Sequence, residues 1–349
     1  MSENSSIQFM GAPGSPYTRK MVALMRYRRI PYQLKWHSRI GKNPDTTMPQ
    51  PKVSLLPTFY LPDDKGELQA VTDSSPILRR FETEFSGRSV IPNDPALSFI
   101  NWLIEDYGDE WLTKSMFHYR WHYDADIKKA GSMLPRWGDN TGSEDAIQPI
   151  SEFIISKQTS RLSYVGSNAT TKPIIEDSFH RFLKILNDCL QENPFLLGKR
   201  PASADFAIYG QLTCLALFDP TPQAIITSQF PRIYAWTELM EDLSGLDISD
   251  DDWITIEHGL PKPLHALLQE IGRIYLPYLR ANAAAVMAGA DQMESEIDGQ
   301  VWMQNPFPYQ AKCLQWILET YQALGEQNTS DVNQLLNGTG ITEQLQTGL

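Results

Sequence analysis

The sequence is poor in cysteine. Its three cysteines are Cys189, Cys214 and Cys313, which stand far apart and form no CxxC pair. An odd number of scattered cysteines favours a reducing compartment over a disulfide framework. We therefore expect a cytoplasmic protein whose thiols remain free.

Basic charge and long apolar runs are also scarce. The chain has 30 Lys and Arg against 42 Asp and Glu, a net charge of −12. This balance argues against nucleic acid and against an anionic membrane surface as partners, because both require a basic face. No apolar run approaches the length of a membrane span, and the opening MSENSSIQFM does not resemble a secretory signal.

What the chain does have is enough length and apolar content for two domains, with 349 residues of which 42% are hydrophobic. Periodicity predicts a strand at 7–10, a helix after the glycine and proline turn at 11–16, and a second strand within 30–36. Two extended runs at 58–61 and 68–71 flank a hairpin turn, and a helix follows Asp73 or Ser74. This order predicts a small α/β domain over residues 1–85.

The rest of the chain has a different pattern. Residues 86–95, rich in Gly, Pro, Asn and Asp, are predicted to form a linker. From residue 96 to 349, apolar residues recur at three- and four-residue spacing, which predicts an all-helical domain.

Three ordered motifs carry a resemblance to a known family. GSPYTRKM stands at the first strand-to-helix turn, LLPTFYL with ELQAVTDSSPIL spans the hairpin, and NPFLLGKRPASADFAIYGQL opens a later helix. Together they resemble the glutathione transferase superfamily, which implies a thioredoxin-like N-terminal domain followed by an all-helical C-terminal domain. The resemblance covers about the first two-thirds of the chain, and the region after about residue 245 fits no common family pattern.

Ser15 is the first candidate catalytic residue. The resemblance places it where family members carry the residue that activates the glutathione thiol, and a helix N-terminus there would add a favourable dipole. Tyr17 is the second candidate for the hydroxyl donor. The alternative is that Ser15 only caps its helix. With Ser15 and Thr18 at the two positions of a CxxC motif, dithiol chemistry is excluded.

The resemblance also implies a glutathione site. It implies a cis peptide bond at Leu56-Pro57, whose backbone would pair with the cysteinyl part of glutathione. Asp73 and Ser74 would bind the γ-glutamyl part, or would simply cap their helix. Lys52 would meet the glycyl carboxylate, or would remain a solvated lysine.

A second pocket is expected between the domains, on the first long helical stretch after the linker. Its candidate lining residues are Trp111, Phe117, Tyr119 and Trp121, which suit a flat or apolar electrophile; the alternative is that these aromatics belong to the core. His118 and His122 are spaced like a metal pair, but no third ligand or HExxH motif accompanies them, so no metal is expected.

One position departs from the family pattern. Ala202 stands where the family usually has Ser or Thr, three residues before the buried Asp205. The reciprocal capping box is therefore incomplete, although Asp205 is still expected to bond backbone N–H groups at the helix start.

Two functions are compatible with these patterns. The first is a cytoplasmic, homodimeric glutathione transferase that adds glutathione, its co-substrate, to a small electrophile in detoxification. The second is a glutathione-transferase-like binding or interaction protein without transferase activity. Fold alone does not distinguish them.

Overall fold

A mixed four-stranded sheet forms the centre of the first domain. The computed structural model describes residues 6–36 and 47–347. The strands are β1 (Ile7–Gly11), β2 (Tyr32–Trp36), β3 (Thr58–Pro62) and β4 (Leu68–Val71), in the order β2-β1-β3-β4. The β1–β2 pair is parallel, whereas β1–β3 and β3–β4 are antiparallel.

Two helices complete this domain, α1 (Pro16–Tyr27) and α2 (Ser74–Glu84). Phe9 of β1 stacks on Phe59 of β3 with ring centroids 4.5 Å apart, and Phe81 of α2 meets the Phe59 ring edge-on. All three side chains are fully buried. The predicted thioredoxin-like layer is confirmed, and its strands lie within one residue or two of their predicted positions.

The second domain is built of helices. Its first part contains α3 (Pro95–Glu110), α4 (Leu112–His122), α5 (Asp124–Arg136), α6 (Glu144–Thr159), α7 (Lys172–Glu192), α8 (Ser203–Leu215), α9 (Pro220–Gln229) and α10 (Pro231–Leu239). Short 3₁₀ helices lie at Leu162–Val165 and Asp250–Asp252. Every residue of α8 is buried, and this helix packs against both α1 and α3.

Asp205 fixes the start of α8 as expected. Its carboxylate accepts hydrogen bonds from the Ala202 N–H at 2.8 Å and from the Leu196 N–H at 2.9 Å. Ser203 does not supply the missing cap, because its hydroxyl instead accepts a hydrogen bond from the Asn101 amide at 2.8 Å. The start of α8 is held by Asp205 and also by Asn101 of α3, whose side-chain oxygen accepts a hydrogen bond from the Ala204 N–H at 3.0 Å.

The chain after residue 261 forms a segment that we call the extension (residues 262–347). It contains α11 (Lys262–Glu270), a π-helical turn (Ile271–Tyr275), α12 (Leu276–Met287), β5 (Met293–Ile297), β6 (Gln300–Gln304), α13 (Pro308–Gln322), α14 (Glu326–Leu335) and α15 (Ile341–Gln346). Its helices pack onto the helical domain, α11 against α7 and both α13 and α14 against α3. The extension is therefore part of the same helical body.

The β5–β6 hairpin is an addition to the predicted all-helical architecture. Its turn is Asp298-Gly299, and both residues have positive φ angles, 56° and 71°. Trp302 of β6 is fully buried against Trp111, with ring centroids 5.4 Å apart. The hairpin thus closes one side of the helical core.

Three further observations concern residues 6–36 and 47–347. No helix in these ranges has the length and apolar content needed to cross a bilayer. All three cysteines are free and buried. No group of His, Cys, Asp or Glu side chains in these ranges is arranged to hold a metal ion.

Candidate functional site

A cavity of about 670 Å³ lies between the two domains. The first domain lines it with the predicted residues Ser15, Tyr17, Leu56, Pro57, Asp73 and Ser74. The helical domain contributes α3 and α4, and the extension contributes Phe307, Tyr309 and Trp316. Residues that are far apart in the sequence therefore meet at one concave surface, as expected of a ligand site.

Ser15 is the N-cap of α1. Its hydroxyl oxygen accepts a hydrogen bond from the Thr18 N–H at 3.2 Å, and its proton is donated to the Leu56 carbonyl oxygen, also at 3.2 Å. A serine hydroxyl has one proton and two lone pairs. Capping and a second hydrogen bond into the cavity are therefore compatible, but the single proton has only one partner at a time.

A buried ion pair in the helical domain fixes the turn before Ser15. Arg120 of α4 binds Asp219 through two nitrogens, at 2.9 Å for the Nε–Oδ1 contact, and donates from Nη1 to the Gly14 carbonyl oxygen at 3.1 Å. Asp219 is fully buried and Arg120 nearly so. The position of the Ser15 turn therefore depends on the second domain, a contact that local motifs did not reveal.

The peptide bond between Leu56 and Pro57 is cis, which confirms the expectation from the resemblance. Leu56 lines the cavity, with its carbonyl oxygen engaged by the Ser15 hydroxyl. This carbonyl lies at the end of the loop that leads into β3.

Asp73 lies at the turn into α2 with φ 86° and ψ 110°, an unusual conformation for a residue other than glycine. Its carboxylate makes no side-chain capping bond to α2 and instead accepts a hydrogen bond from the Tyr309 hydroxyl at 2.9 Å. Burial raises the pKa of Asp73, and the bond from Tyr309 opposes that shift. Ser74 is buried beside it.

Tyr17 also lines the cavity, but its hydroxyl donates to the Asp109 carbonyl oxygen of α3 at 2.8 Å. Burial, together with the nearby charges of Glu110 and Asp109, raises the Tyr17 pKa well above its usual value. The phenol is therefore neutral and holds the two domains together through a backbone contact.

The predicted aromatic residues divide into two groups. Phe117 and Trp121 line the cavity together with Thr113, because the three are spaced four residues apart along one face of α4. Trp111 and Tyr119 lie in the core instead: Trp111 packs on Trp302, and the Tyr119 ring lies 5.3 Å from that of Phe179. Helical periodicity alone did not reveal which face of α4 meets the cavity.

Lys52, His118 and His122 are not among the residues that line the cavity. Lys52 is exposed, next in sequence to the lining residue Val53. Both ring nitrogens of His118 have protein partners, Ser167 at 2.7 Å and Glu176 at 3.0 Å. His122 contacts the Lys172 ammonium at 3.1 Å.

A charged network joins α1 to α3 behind the cavity. The Lys20 ammonium, which is fully buried, lies 3.0 Å from Glu105 and 2.5 Å from Asp109. Burial acts to raise the pKa of Glu105, but the charges of Arg79 and Lys20 outweigh it and lower that pKa to about 2. Sequence reasoning missed this network, because a lysine on an apolar helix face gives no indication of its distant partners.

Two further carboxyl groups of α3 line the cavity, one turn apart. Asp106 accepts a hydrogen bond from the Tyr275 hydroxyl, and Glu110 accepts one from the Gln310 amide at 2.9 Å. Burial raises the pKa of Asp106 to about 7 and that of Glu110 to about 8. Both partners belong to the extension, which thus takes part in the cavity wall.

Two family models match the chain. Residues 9–89 match the glutathione S-transferase N-terminal domain, and residues 179–240 match the glutathione S-transferase C-terminal domain. The first range contains Ser15, Pro57 and Asp73, and the second contains Asp205. The extension lies outside both ranges.

Several solved structures resemble this chain at low identity. A glutathione S-transferase from Methylobacterium radiotolerans, in complex with glutathione sulfonate, has 17% identity and a TM-score of 0.38, covering 68% of this chain and 91% of its own. A Pseudomonas putida glutathione transferase with bound glutathione disulfide has 13% identity and a TM-score of 0.38, covering 68% and 88%. A Tau class glutathione S-transferase from mango, Mangifera indica, has 15% identity and a TM-score of 0.42, covering 72% and 94%.

No curated protein matches the sequence significantly. The likeness of this chain to glutathione S-transferases rests on the two domain matches.

Proposed function

Since the chain belongs to the glutathione transferase superfamily, we propose that it binds glutathione in the interdomain cavity and transfers the thiolate to a small apolar electrophile. One observation carries this proposal. Ser15, the cis Leu56-Pro57 bond and the Asp73-Ser74 turn come from three separate parts of the first domain and line one cavity.

The peptide would bind along the edge of the first domain. The backbone of Leu56 pairs with the cysteinyl part of glutathione as an added strand would. The γ-glutamyl ammonium binds the Asp73 carboxylate, and the γ-glutamyl carboxylate lies at Ser74, at the N-terminus of α2, where the helix dipole favours an anion. Lys52, exposed beside the cavity residue Val53, would meet the glycyl carboxylate at the outer end.

Ser15 would then activate the sulfur by exchanging hydrogen-bond partners. In the structure its proton is directed to the Leu56 carbonyl oxygen. When the cysteinyl N–H of glutathione takes that carbonyl, the hydroxyl is free to turn and donate to the thiolate. It keeps its cap to Thr18 meanwhile, because that bond uses a lone pair of the oxygen.

The proposed reaction at the sulfur is a nucleophilic displacement. The thiol loses its proton to solvent, and the thiolate lone pair forms a carbon–sulfur bond while the leaving group departs with its electron pair. Lowering a thiol pKa raises the thiolate fraction but reduces its nucleophilicity, so the gain from Ser15 alone is a few-fold. Most of the acceleration must come from holding the electrophile against the sulfur.

The electrophile would bind against the apolar side of the cavity. Phe117, Trp121 and Trp137 line that side together with Met116 and Ile154. Flat or aromatic substrates suit such a surface, because aromatic rings stack favourably. Trp111 and Tyr119 would support this wall from the core.

We also propose a homodimer in the cytoplasm with a role in detoxification. These proposals rest on the family resemblance, and the free, buried cysteines are compatible with a reducing compartment. Sedimentation at micromolar concentration tests the dimer, which a monomeric species would contradict.

Glutathione titration is the experiment that tests the proposed function. Trp102, Trp137 and Trp316 line the cavity, so binding should change tryptophan fluorescence. Thioether formation is then followed with an aryl halide under saturating glutathione. Binding with turnover supports the transferase. Binding without turnover, or absence of binding, contradicts the transferase and supports the alternative, a binding or interaction protein without transferase activity.

A further inference from the structure

Tyr309 links the extension to the first domain at the proposed glutathione site. Its hydroxyl donates to Asp73 Oδ2 at 2.9 Å across 236 residues of sequence, and both residues line the cavity. Tyr309 lies outside both ranges matched by the family models, which end at residues 89 and 240. A residue that the matched domains lack therefore touches the carboxylate proposed to bind the γ-glutamyl ammonium.

The residues on both sides of Tyr309 are held by hydrogen bonds. Before it, the Phe307 backbone N–H donates to the Asn282 side-chain oxygen at 2.7 Å. After it, the Gln310 side-chain amide donates to the Glu110 carboxylate at 2.9 Å and to the Glu110 carbonyl oxygen at 3.1 Å. The Tyr309 hydroxyl is thus presented to Asp73 from a fixed position rather than from a mobile loop.

The ring of Tyr309 is held as well. It meets the Trp316 ring edge-on, with centroids 6.3 Å apart, and the Phe307 ring also lies 6.3 Å away. A hydrogen bond from a side chain locked in this way has little conformational entropy left to lose. It is suited to hold a partner in one orientation.

The Asp73 carboxylate is stabilised by such a partner. Its backbone φ of 86° is not the usual geometry of a capping residue, and its side chain makes no capping bond to α2. An ionised carboxylate is costly to bury, and a hydroxyl donor to one oxygen lowers that cost. The Tyr309 bond uses one acceptor site of Oδ2, and an ionised carboxylate offers about four, so Asp73 can still accept a hydrogen bond from a ligand.

We propose that Tyr309 is a positioning residue for the γ-glutamyl end of glutathione, so that the extension completes a site which the two family domains form only in part. This proposal rests on the proposed function. Tyr309 holds the Asp73 carboxylate ionised and aimed at the γ-glutamyl ammonium, and it takes no part in the chemistry at sulfur.

The experiment compares two ligands and two tyrosine variants. Glutathione is titrated beside cysteinylglycine, which carries the same thiol but lacks the γ-glutamyl group. Tyr309→Phe should weaken glutathione binding about 10-fold, since a hydrogen bond to a charged group is lost, and should raise KM for glutathione without changing kcat. Binding of cysteinylglycine should not change.

Tyr321→Phe is the matched control. It removes a hydroxyl that bonds Asn333 at 2.7 Å within the extension, and it should leave both ligands unaffected. In an Asp73→Asn background, Tyr309→Phe should cause no further loss, because the two residues act as one unit.

The outcomes separate the two proposals. If wild-type protein binds glutathione and Tyr309→Phe binds it equally well or more tightly, the positioning role is overturned while the proposed function stands. An equal loss for glutathione and cysteinylglycine would also overturn it, since the effect would then be general packing. If the wild-type protein fails to bind glutathione, the proposed function falls and this proposal falls with it.

Discussion

Gly210 of α8 lies so close to the carbonyl oxygen of Pro16 in α1 that a Cβ atom on Gly210 would be 2.7 Å from that oxygen. The same Cβ would lie 3.2 Å from the Lys20 Cβ. The buried helix of the second domain thus contacts the first turn of α1, directly after Ser15, through backbone atoms that have little room to move.

Gly210→Ala should therefore destabilise the protein, although alanine is normally the better helix former. We expect a loss of about 1–3 kcal/mol from overpacking, with a lower kcat/KM because the Ser15 turn is displaced. Urea unfolding measures the loss of stability. Gly245→Ala is the control, since nothing lies within 4 Å of its Cβ position, and equal stability of the two variants would contradict the prediction.

Ser15→Ala should affect both stability and chemistry. Loss of the cap costs about 1 kcal/mol, and loss of the hydroxyl should raise the thiol pKa of bound glutathione and lower kcat/KM at neutral pH by between a few-fold and about 10-fold. Affinity for glutathione should change little, because the proposed contact of Ser15 with glutathione is to the sulfur alone.

Ser143, which caps α6, provides a control that separates the loss of stability from the loss of activity. Ser143 accepts a hydrogen bond from the Ala146 N–H at 3.4 Å and is not among the residues that line the cavity, so Ser143→Ala should lose stability without losing activity. A pH–rate profile of Ser15→Ala that matches the wild type would leave Ser15 as a helix cap only. Tyr17→Phe would then be the next variant to measure.

Lys20→Met should be strongly destabilising. It leaves Asp109 and Glu105 without the ammonium that lies between them, and breaking a buried pair in this way costs about 3–5 kcal/mol. Denaturant unfolding provides the measurement. Lys184→Met removes the exposed pair with Asp188 and should change stability by less than about 0.5 kcal/mol; similar losses in both variants would disprove the role of the buried network.

The raised pKa of Glu110 predicts that the stability of the protein depends on pH. Its pKa is about 8 in the folded protein against 4.5 for the unperturbed side chain, so between these pH values the folded state retains a proton that the unfolded chain has released. The contribution of this group to the free energy of unfolding therefore falls as pH rises from about 4.5 to 8. Glu110→Gln removes the ionisation while its side-chain carbonyl can still accept from Gln310.

We expect Glu110→Gln to raise the melting temperature at pH 8.5 and to give a smaller gain, or a loss, at pH 5. Thermal unfolding at the two pH values measures this difference. Glu294→Gln changes an exposed side chain of β5 and should behave like the wild type at both. A gain from Glu110→Gln that is the same at pH 5 and pH 8.5 would contradict the assigned titration.

Local patterns were sufficient for the first domain. The Ser15 turn, the strand entered through Pro57 and the turn at Asp73 are each specified by a few neighbouring residues, so their motifs could be read in order. Tyr309 could not be found in this way, because its partner is chosen by the packing of a distant helix. The same holds for Trp111, whose apolar spacing is equally compatible with a cavity wall and with a core.

The β5–β6 hairpin has a local signal in the sequence that the prediction of an all-helical domain did not include. Asp298-Gly299 separates two short runs, and an Asp-Gly pair favours a turn with two positive φ angles. The prediction of an all-helical domain rested on the helical periodicity on either side of this pair. The hairpin has a structural role, because its Trp302 packs on Trp111 in the core.

The bond between Asp73 and Tyr309 can form only late in translation. A ribosome adding about 5–20 residues per second needs roughly 10–50 s to synthesise the 236 residues that separate the two. During that interval the nascent chain already contains Ser15, Leu56-Pro57 and Asp73, and later the whole of residues 179–240. The cleft between the domains therefore remains without one of its walls until translation has passed α13.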